Sequence, residues 1–448
     1  MPSRHSGLRE TARSSVLTQE TLSEGVERSF VHRQRHAHGS ARQEARKKAH
    51  LHDHKGVLGK VWSERRPARD GGEREAKAPA EGHAPTTFDH LLLNRKLKEL
   101  LHYLSPSVEA RDAKLSVLRD IAMPLSRIGL EVEVYGSMRT GLLIPASDVD
   151  CVMLPKDGGD VHVPPALQRT LHAVEHSAVM TTKQRQSSFS SGIHVVANAM
   201  RRSPLFTRVS SIAHARVPIV KCVHRDTNTK VDLSFEKDGC LTSDFLCKEF
   251  QRPGNELARA LIVLIKAMLS NWSLDDPSVG GLGSFPTSLL VLWFLQKKSA
   301  FFPSELQHNI AVLLVGFLRY YGNEEWDHQH MGMNYVQNLS FKKPAGPELC
   351  IINPLVPGMN CARSAKLYDG RIVPAFYEAA KTLSKYLDEE AQERAVEDVL
   401  VEYFGDSVDV VHHWADVVKG ARHRKSVSQH QWDDDTLIYT GSLIDEQT

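Results

Sequence analysis

Apolar positions along this chain change their period twice. From Phe88 to Leu104 they recur at three- and four-residue spacing, which predicts a helix, and a second helical stretch over Leu115–Ile128 leads into segments of alternating character. Glu131–Tyr135, Val149–Leu154, Ile193–Asn198, Ile219–His224 and Lys230–Phe235 read as strands, with a helix over Val163–Val179 among them. Asp226-Thr227-Asn228 supplies turn chemistry between the last two strands. Past Gly254 the helical period returns, with long apolar faces over Glu256–Ser270, Phe285–Lys298, Asn309–Tyr321 and Arg371–Leu387. The pattern predicts an α+β chain. A mixed sheet with helices occupies residues 105–250, a mainly helical domain occupies 251–390, and the helix at 88–104 packs on that later domain. A C-terminal helix and polar tail fill 391–448. Two such domains leave a cleft between them, where ligands bind.

Composition adds a boundary. The chain of 448 residues has 41% hydrophobic and 25% charged residues, an ordinary balance for globular domains. Residues 1–87 show no sustained period and are rich in Arg, His, Ser, Gly and Pro, which predicts a disordered tail. Residues 1–86 carry 17 Lys and Arg against 11 Asp and Glu, so the other 362 residues hold a net −4 within a whole-chain +2. The basic excess therefore lies outside the domains. Arg42–Lys60 fits an RNA contact, a nuclear address or simply a solvated run, and His50, His52 and His54 lack a rigid frame for a metal. Arg4, Arg9 and Arg13 would suit a mitochondrial presequence, against which Glu10, Glu20 and Glu24 count. Six scattered cysteines fit a reducing compartment and argue against a zinc knuckle or disulfide framework. The most apolar run, Leu257–Leu269, is interrupted by Arg259 and Lys266, so no membrane partner is expected.

The chemistry concentrates in EVYGSMRTGLLIPASDVDCVML. Asp148 and Asp150 stand two apart at the start of a strand, project the same way, and can share divalent cations that relieve their mutual repulsion. Gly136 permits a tight turn towards a ligand, and Ser137 with the following amides can cradle phosphate. Asp232 lies among Val231, Leu233 and Phe235 in another strand, where a charge is costly without a partner such as a shared metal.

With these residues in place the chain resembles the DNA polymerase-β-like nucleotidyltransferases, and within them the noncanonical poly(A) polymerases of the nuclear TRAMP type. The resemblance covers roughly Leu92–Leu387. It rests on LKELLHYLSPSVEARDAKLSVLRDI, GSMRTGLLIPASDVDCVM, VPIVKCVHRDTNTKVDLSFEKDG, LIKAMLSNWSLDDPSVGGLGSFPTSLLVLWFLQ and LCIINPLVPGMNCARSAK, five blocks in order. It implies a polymerase-β-like catalytic domain followed by a helical central domain, and a metal triad of Asp148, Asp150 and Asp232 that carries two Mg²⁺ or Mn²⁺ ions. It implies that Lys266 and Ser137 grip the phosphates of ATP and that Ser284 caps a helix whose Phe285 stacks on the base. Gly239 and Thr242 would then lie at the sugar, and Asn360 and Arg363 in the base-selecting loop. The implied substrates are ATP and RNA 3′ ends, and the implied partners a zinc-knuckle RNA-binding protein and an RNA helicase. The implied location is the nucleus, the nucleolus included, with mitochondria as the alternative.

Two positions depart from the pattern. Asn353 stands where relatives usually carry an aspartate, and Asp238 stands where they carry an asparagine near the ribose. No histidine lies between Cys350 and Ser364, whereas uridylyl-transferring relatives commonly have one there, and this favours ATP over UTP. Terminal uridylyl transfer and an inactive adaptor in RNA decay are the rival functions.

Overall fold

The computed structural model describes residues 91–425, apart from 157–160, 178–179, 323–348, 357 and 388–391. The basic N-terminal tail, its histidines, Phe88, Pro357 and the polar C-terminal tail lie outside these residues.

The sheet has five strands: β1 (Leu130–Tyr135), β2 (Val149–Pro155), β3 (Phe206–Ile212), β4 (Ile219–His224) and β5 (Lys230–Ser234), in the order β1-β2-β5-β4-β3. β2 and β5 run parallel and the other neighbours antiparallel, giving a mixed sheet. Alternation along the strands divides it into two faces. Val132, Cys151, Met153, Val220, Cys222, Val231 and Leu233 enter the hydrophobic core with α2 (Val108–Ser126) and α5 (Thr182–Arg202). The intervening residues point to the opposite face, which carries the site.

Residues Ile193–Asn198 form part of helix α5 and not a strand. Their β-branched residues favour a strand locally, but Phe189, Ile193, Val196, Ala197 and Met200 are buried at helical spacing, so the longer period wins. Thr181 and Gln184 close a capping box at its start. The edge strand is instead β3, whose burial alternates along Phe206–Ile212. Within the predicted Val163–Val179 stretch, the helix α4 occupies Pro165–Glu175. The one-turn helix α3 (Ser137–Thr140) follows β1, and α6 (Asp238–Phe250) follows β5.

The helical part contains α7 (Ala258–Asn271), α8 (Ser284–Phe301), α9 (Ile310–Gly322) and α10 (Val373–Leu383). The predicted Arg371–Leu387 helix is three pieces, a π turn at Tyr368–Ile372, α10, and a 3-10 turn at Ser384–Tyr386. The first helix, α1 (Leu92–Leu104), packs on α7 and α9, and its buried Asn94 accepts the Ile310 amide at 3.1 Å, capping α9 from a distance in sequence. The C-terminal region holds two helices, α11 (Glu393–Phe404) and α12 (Ser407–Lys425), where the sequence pattern indicates one. They diverge. α11 lies on α7, whereas α12 packs on α2, and its Trp414 joins the core beneath the sheet. No helix among the described residues is long and apolar enough to cross a membrane.

Candidate active site

Strand register builds the site. Tyr135 on β1 stands opposite Asp150 on β2, Asp150 opposite Asp232 on β5, and Asp232 opposite Lys221 on β4. Four neighbouring strands thus present one row, Tyr135, Asp150, Asp232, Lys221, on the face turned away from the core. Asp148, at the mouth of β2, precedes Asp150 by two residues.

The electrostatics of the row describe a site short of positive charge. Burial, then Asp232 and Asp148, raises the Asp150 carboxyl from its ordinary 3.8 to about 7. Asp232 is also raised by burial, although Lys221 donates to its Oδ2 at 2.7 Å and pulls the other way. Two lysines are buried beside these groups. Lys266 on α7, pushed down to about 8 by burial, donates to Ser137 Oγ at 3.1 Å and to the Leu142 carbonyl at 2.9 Å. Lys114 on α2, likewise lowered to about 8 by burial, donates to the Ser147 carbonyl at 2.8 Å. Tyr135 is held protonated by its burial and by Asp150 beside it.

The glycines here have steric causes. Gly136 adopts φ +68°, and a Cβ there would come within 2.5 Å of Asp150 Oδ2. A Cβ on Gly239 would meet the Tyr135 ring at 2.3 Å, so α6 can approach β1 only through glycine. Ser243 locks the two together, accepting the Gly136 amide at 2.8 Å and donating to the Gly239 carbonyl at 2.8 Å. Thr242 donates to that same carbonyl at 3.0 Å. Asp238 and Gly239 open α6, with Asp238 exposed. Below the turn, Arg139 bridges Glu133 and Asp244, tying α3 to β1 and α6.

From the helical part, Phe285 meets Phe245 of α6 edge to face, centroids 6.3 Å apart. Ser284 is the first residue of α8 and not its cap; the capping position falls to Gly283, whose carbonyl accepts the Thr287 amide at 3.1 Å and its hydroxyl at 2.9 Å. Gly280 accepts the Leu367 amide at 2.9 Å, which joins this glycine-rich turn to the segment that follows the Cys350–Ser364 loop.

That loop is organised from within. Asn360 Oδ1 accepts the Ile351 and Ala362 amides at 3.0 and 2.9 Å, while its Nδ2 donates to the Leu349 carbonyl at 2.9 Å. Asn353 Oδ1 accepts the Leu355 amide at 2.8 Å, an Asx turn that aspartate closes equally well. The departure at Asn353 therefore leaves the anchor intact. Arg363 is exposed on the following turn. Asn353→Asp is accordingly expected to leave nucleotide preference unchanged. Asn360→Ala should raise KM for ATP and UTP alike by loosening the whole loop, and steady-state kinetics with each nucleotide checks both.

Sequence reasoning missed Lys221, Lys114, Tyr135 and Ser243. Lys221 and Lys114 left a signal, as a lysine of the same strand parity as Asp232 across the hairpin, and as a lysine inside the apolar stripe Ala110, Val117, Leu118, Ile121 of α2.

The donor set fits a divalent cation that prefers oxygen ligands, since Asp150 and Asp232 are register partners with Asp148 two residues away, and burial together with the two neighbouring carboxylates raises the Asp150 carboxyl to about 7. Among the described residues no three His, Cys, Asp or Glu side chains close on a single point. Asp232 is turned onto Lys221, an ammonium standing where positive charge is wanted.

Residues 93–248 match the family model of the central palm domain of mitochondrial-like poly(A) RNA polymerases. Poly(A) RNA polymerase protein 2 of Saccharomyces cerevisiae is 29% identical over 237 residues, which span 51% of this chain and 35% of the yeast protein. The chain thus covers about a third of that relative's length. The inactive noncanonical poly(A) RNA polymerase protein Trf4-2 of Drosophila melanogaster is 26% identical over 317 residues, 67% of this chain and 70% of the fly protein. Among solved structures, the polymerase core of TRAMP, an RNA surveillance complex, shares the fold with a TM-score of 0.54 at 23% identity, covering 74% of this chain and 94% of that one.

Proposed function

We propose that this chain, a polymerase-β-like nucleotidyltransferase of the noncanonical poly(A) polymerase family, adds AMP from ATP to RNA 3′ ends without a template. The observation that carries the proposal is the in-register row of Asp150 and Asp232 with Asp148 at its mouth, beneath a lysine contributed by the other domain. Asp148, Asp150 and Asp232 would hold two Mg²⁺ or Mn²⁺ ions, which when bound activate the 3′-hydroxyl and neutralise charge building on the phosphates. In the reaction the RNA 3′ oxygen bonds to the α-phosphorus of ATP and the bond to the β-phosphate oxygen breaks, releasing pyrophosphate.

The remaining roles fall to this chain's own groups. Ser137 and Lys266 grip the departing phosphates. Lys266 reaches Ser137 from α7, so phosphate binding and domain apposition share one side chain. Gly239, with Thr242 donating to its carbonyl, lines the sugar side of the turn. Phe285 offers a flat face that stacks on any base, so selection rests on polar groups of the Asn353–Ser364 loop, with Arg363 its exposed donor and Asn360 its frame.

The setting we propose is RNA surveillance, in line with the likeness to the polymerase core of TRAMP, an RNA surveillance complex; the nuclear location and the zinc-knuckle and helicase partners are what the sequence resemblance implies. The mitochondrial-like name of the matching palm domain keeps a mitochondrial role as the alternative. A second reading, an inactive adaptor, is favoured by the similarity to the fly protein described as inactive. Against it stand the three aspartates, half-buried and set together at one end of the sheet. Incubating the full chain with a short RNA and each NTP separately, with and without Mg²⁺ or Mn²⁺, decides between them. Metal-dependent extension with ATP is expected; no extension with any nucleotide would select the adaptor.

A further inference from the structure

We infer that Lys114, covered by the ring of Trp414, is a positioning residue for Asp148, which makes the C-terminal helix α12 part of the apparatus that sets the metal-binding carboxylates. The inference rests on the nucleotidyl-transfer reading of the carboxylate row.

Lys114 is 1% exposed and sits on the core side of α2, among Ala110, Val117, Leu118 and Ile121. A buried ammonium is costly unless its donors and charge are met. Its Nζ donates to the carbonyl of Ser147 at 2.8 Å and lies 5.4 Å from the centre of the Trp414 ring, a cation–π contact. The Ser147 carbonyl belongs to the peptide unit that ends at the nitrogen of Asp148. Fixing that carbonyl therefore fixes the plane from which the Asp148 side chain departs. The loop before it is closed on itself, the Ile144 amide donating to Ser147 Oγ at 3.0 Å and the Ser147 amide to the Ile144 carbonyl at 2.9 Å. Lys114 supplies the one fastening this closed loop has to the helix beneath it among the hydrogen bonds described.

Trp414 is itself fixed. Its Nε1 donates to the Tyr103 carbonyl at 3.2 Å, the residue is 7% exposed, and further along α12 Gly420 lies against the backbone of Asp226, where any Cβ would collide. The route from α12 to the site is thus three contacts long: Trp414 on Lys114, Lys114 on the Ser147 carbonyl, and that peptide on Asp148.

A lysine behind carboxylates could instead act only as a compensating charge, and the two roles have opposite consequences for metal binding. A mere charge repels an incoming cation, so its removal would tighten binding. A positioning group orients a ligand, so its removal weakens binding, by roughly 10- to 100-fold for groups of this kind. The test uses the full chain with Lys114→Met, Lys114→Arg and Trp414→Leu, with Mn²⁺ binding measured directly by paramagnetic resonance alongside melting, kcat and KM for ATP. Lys114→Met is expected to weaken Mn²⁺ binding and lower kcat while KM for ATP stays within about twofold. Lys114→Arg, which keeps a donor and a cation under the ring, should recover most of both. Should Lys114→Met not fold, Trp414→Leu carries the test, with weaker Mn²⁺ binding expected again. Unchanged or tighter Mn²⁺ binding in the folded variant overturns the inference. A wild-type protein that binds Mn²⁺ yet extends no RNA rejects the nucleotidyl-transfer reading while the binding comparison still decides the role of Lys114. A wild-type protein that binds no Mn²⁺ overturns both.

Discussion

Asp148→Ala, Asp150→Ala and Asp232→Ala are each expected to abolish nucleotide addition by a protein that stays folded. The loss should be on the order of 10³-fold or more, because the charge stabilisation that a metal gives a phosphoryl transition state is worth several kcal/mol. Folding survives because the row is strained by like charge and each deletion relieves it. Asp150 makes this testable without catalysis. In the metal-free protein it keeps its proton up to about pH 7, whereas the unfolded chain loses it near 3.8. Its contribution to stability is therefore complete below about pH 4 and is lost as the pH rises through 7. Asp150→Asn should raise the melting temperature of metal-free protein at pH 8 and change it little at pH 4, and Mg²⁺ should stabilise the wild type while leaving the variant almost unaffected. Primer extension and melting curves on the same preparations check both halves. A folded Asp148→Ala/Asp150→Ala protein that still extends RNA would remove the two-metal assignment.

Lys266→Met carries the second large effect. Lys266 leaves an apolar helix to donate to Ser137 and to the Leu142 carbonyl, joining α7 to the turn proposed to hold the phosphates. Methionine fills the same volume and makes neither bond. A buried carbonyl left without its donor costs about 1–3 kcal/mol, which sets the expected stability loss. The functional loss should exceed it, because the variant lacks both a charge for the triphosphate and the tie between α7 and the Ser137 turn. KM for ATP should rise by roughly 100-fold, the size of losing a charged hydrogen bond of up to about 3 kcal/mol. KM for RNA should hold, and initial-rate kinetics separates the two. An unchanged KM for ATP would make Lys266 a structural lysine and nothing more.

Much of this site was legible because strand parity is rigid. Asp148 and Asp150 fall on one side by counting alone, Asp232 stands out as a charge within an apolar strand, and the structure adds that Asp150 and Asp232 are register partners on parallel neighbours. What counting could not supply is which strands are neighbours. The row extends to Tyr135 on one side and Lys221 on the other only because β1 and β4 flank β2 and β5. The misread segment, Ile193–Asn198, failed because six residues rich in β-branched side chains look like a strand until the window reaches Phe189 and Met200. Ser243 gave no warning, since the hydrogen bond that gives it a role in the site comes from Gly136, far away in sequence, while its bond to the Gly239 carbonyl is local to α6. In the Cys350–Ser364 loop, Asn353 and Asn360 are visible as types, but their use is not. Their side chains are engaged with the loop's own backbone, and this shifts the expectation for base reading towards Arg363 and the shape the loop imposes.

The most direct measurement is kcat/KM for ATP and for UTP with one RNA primer, one metal concentration and the wild-type chain. ATP is expected to be the better substrate, with addition that stops when the metal is chelated. Faster addition of UMP than AMP under those matched conditions would contradict adenylyl transfer and make this chain a terminal uridylyltransferase.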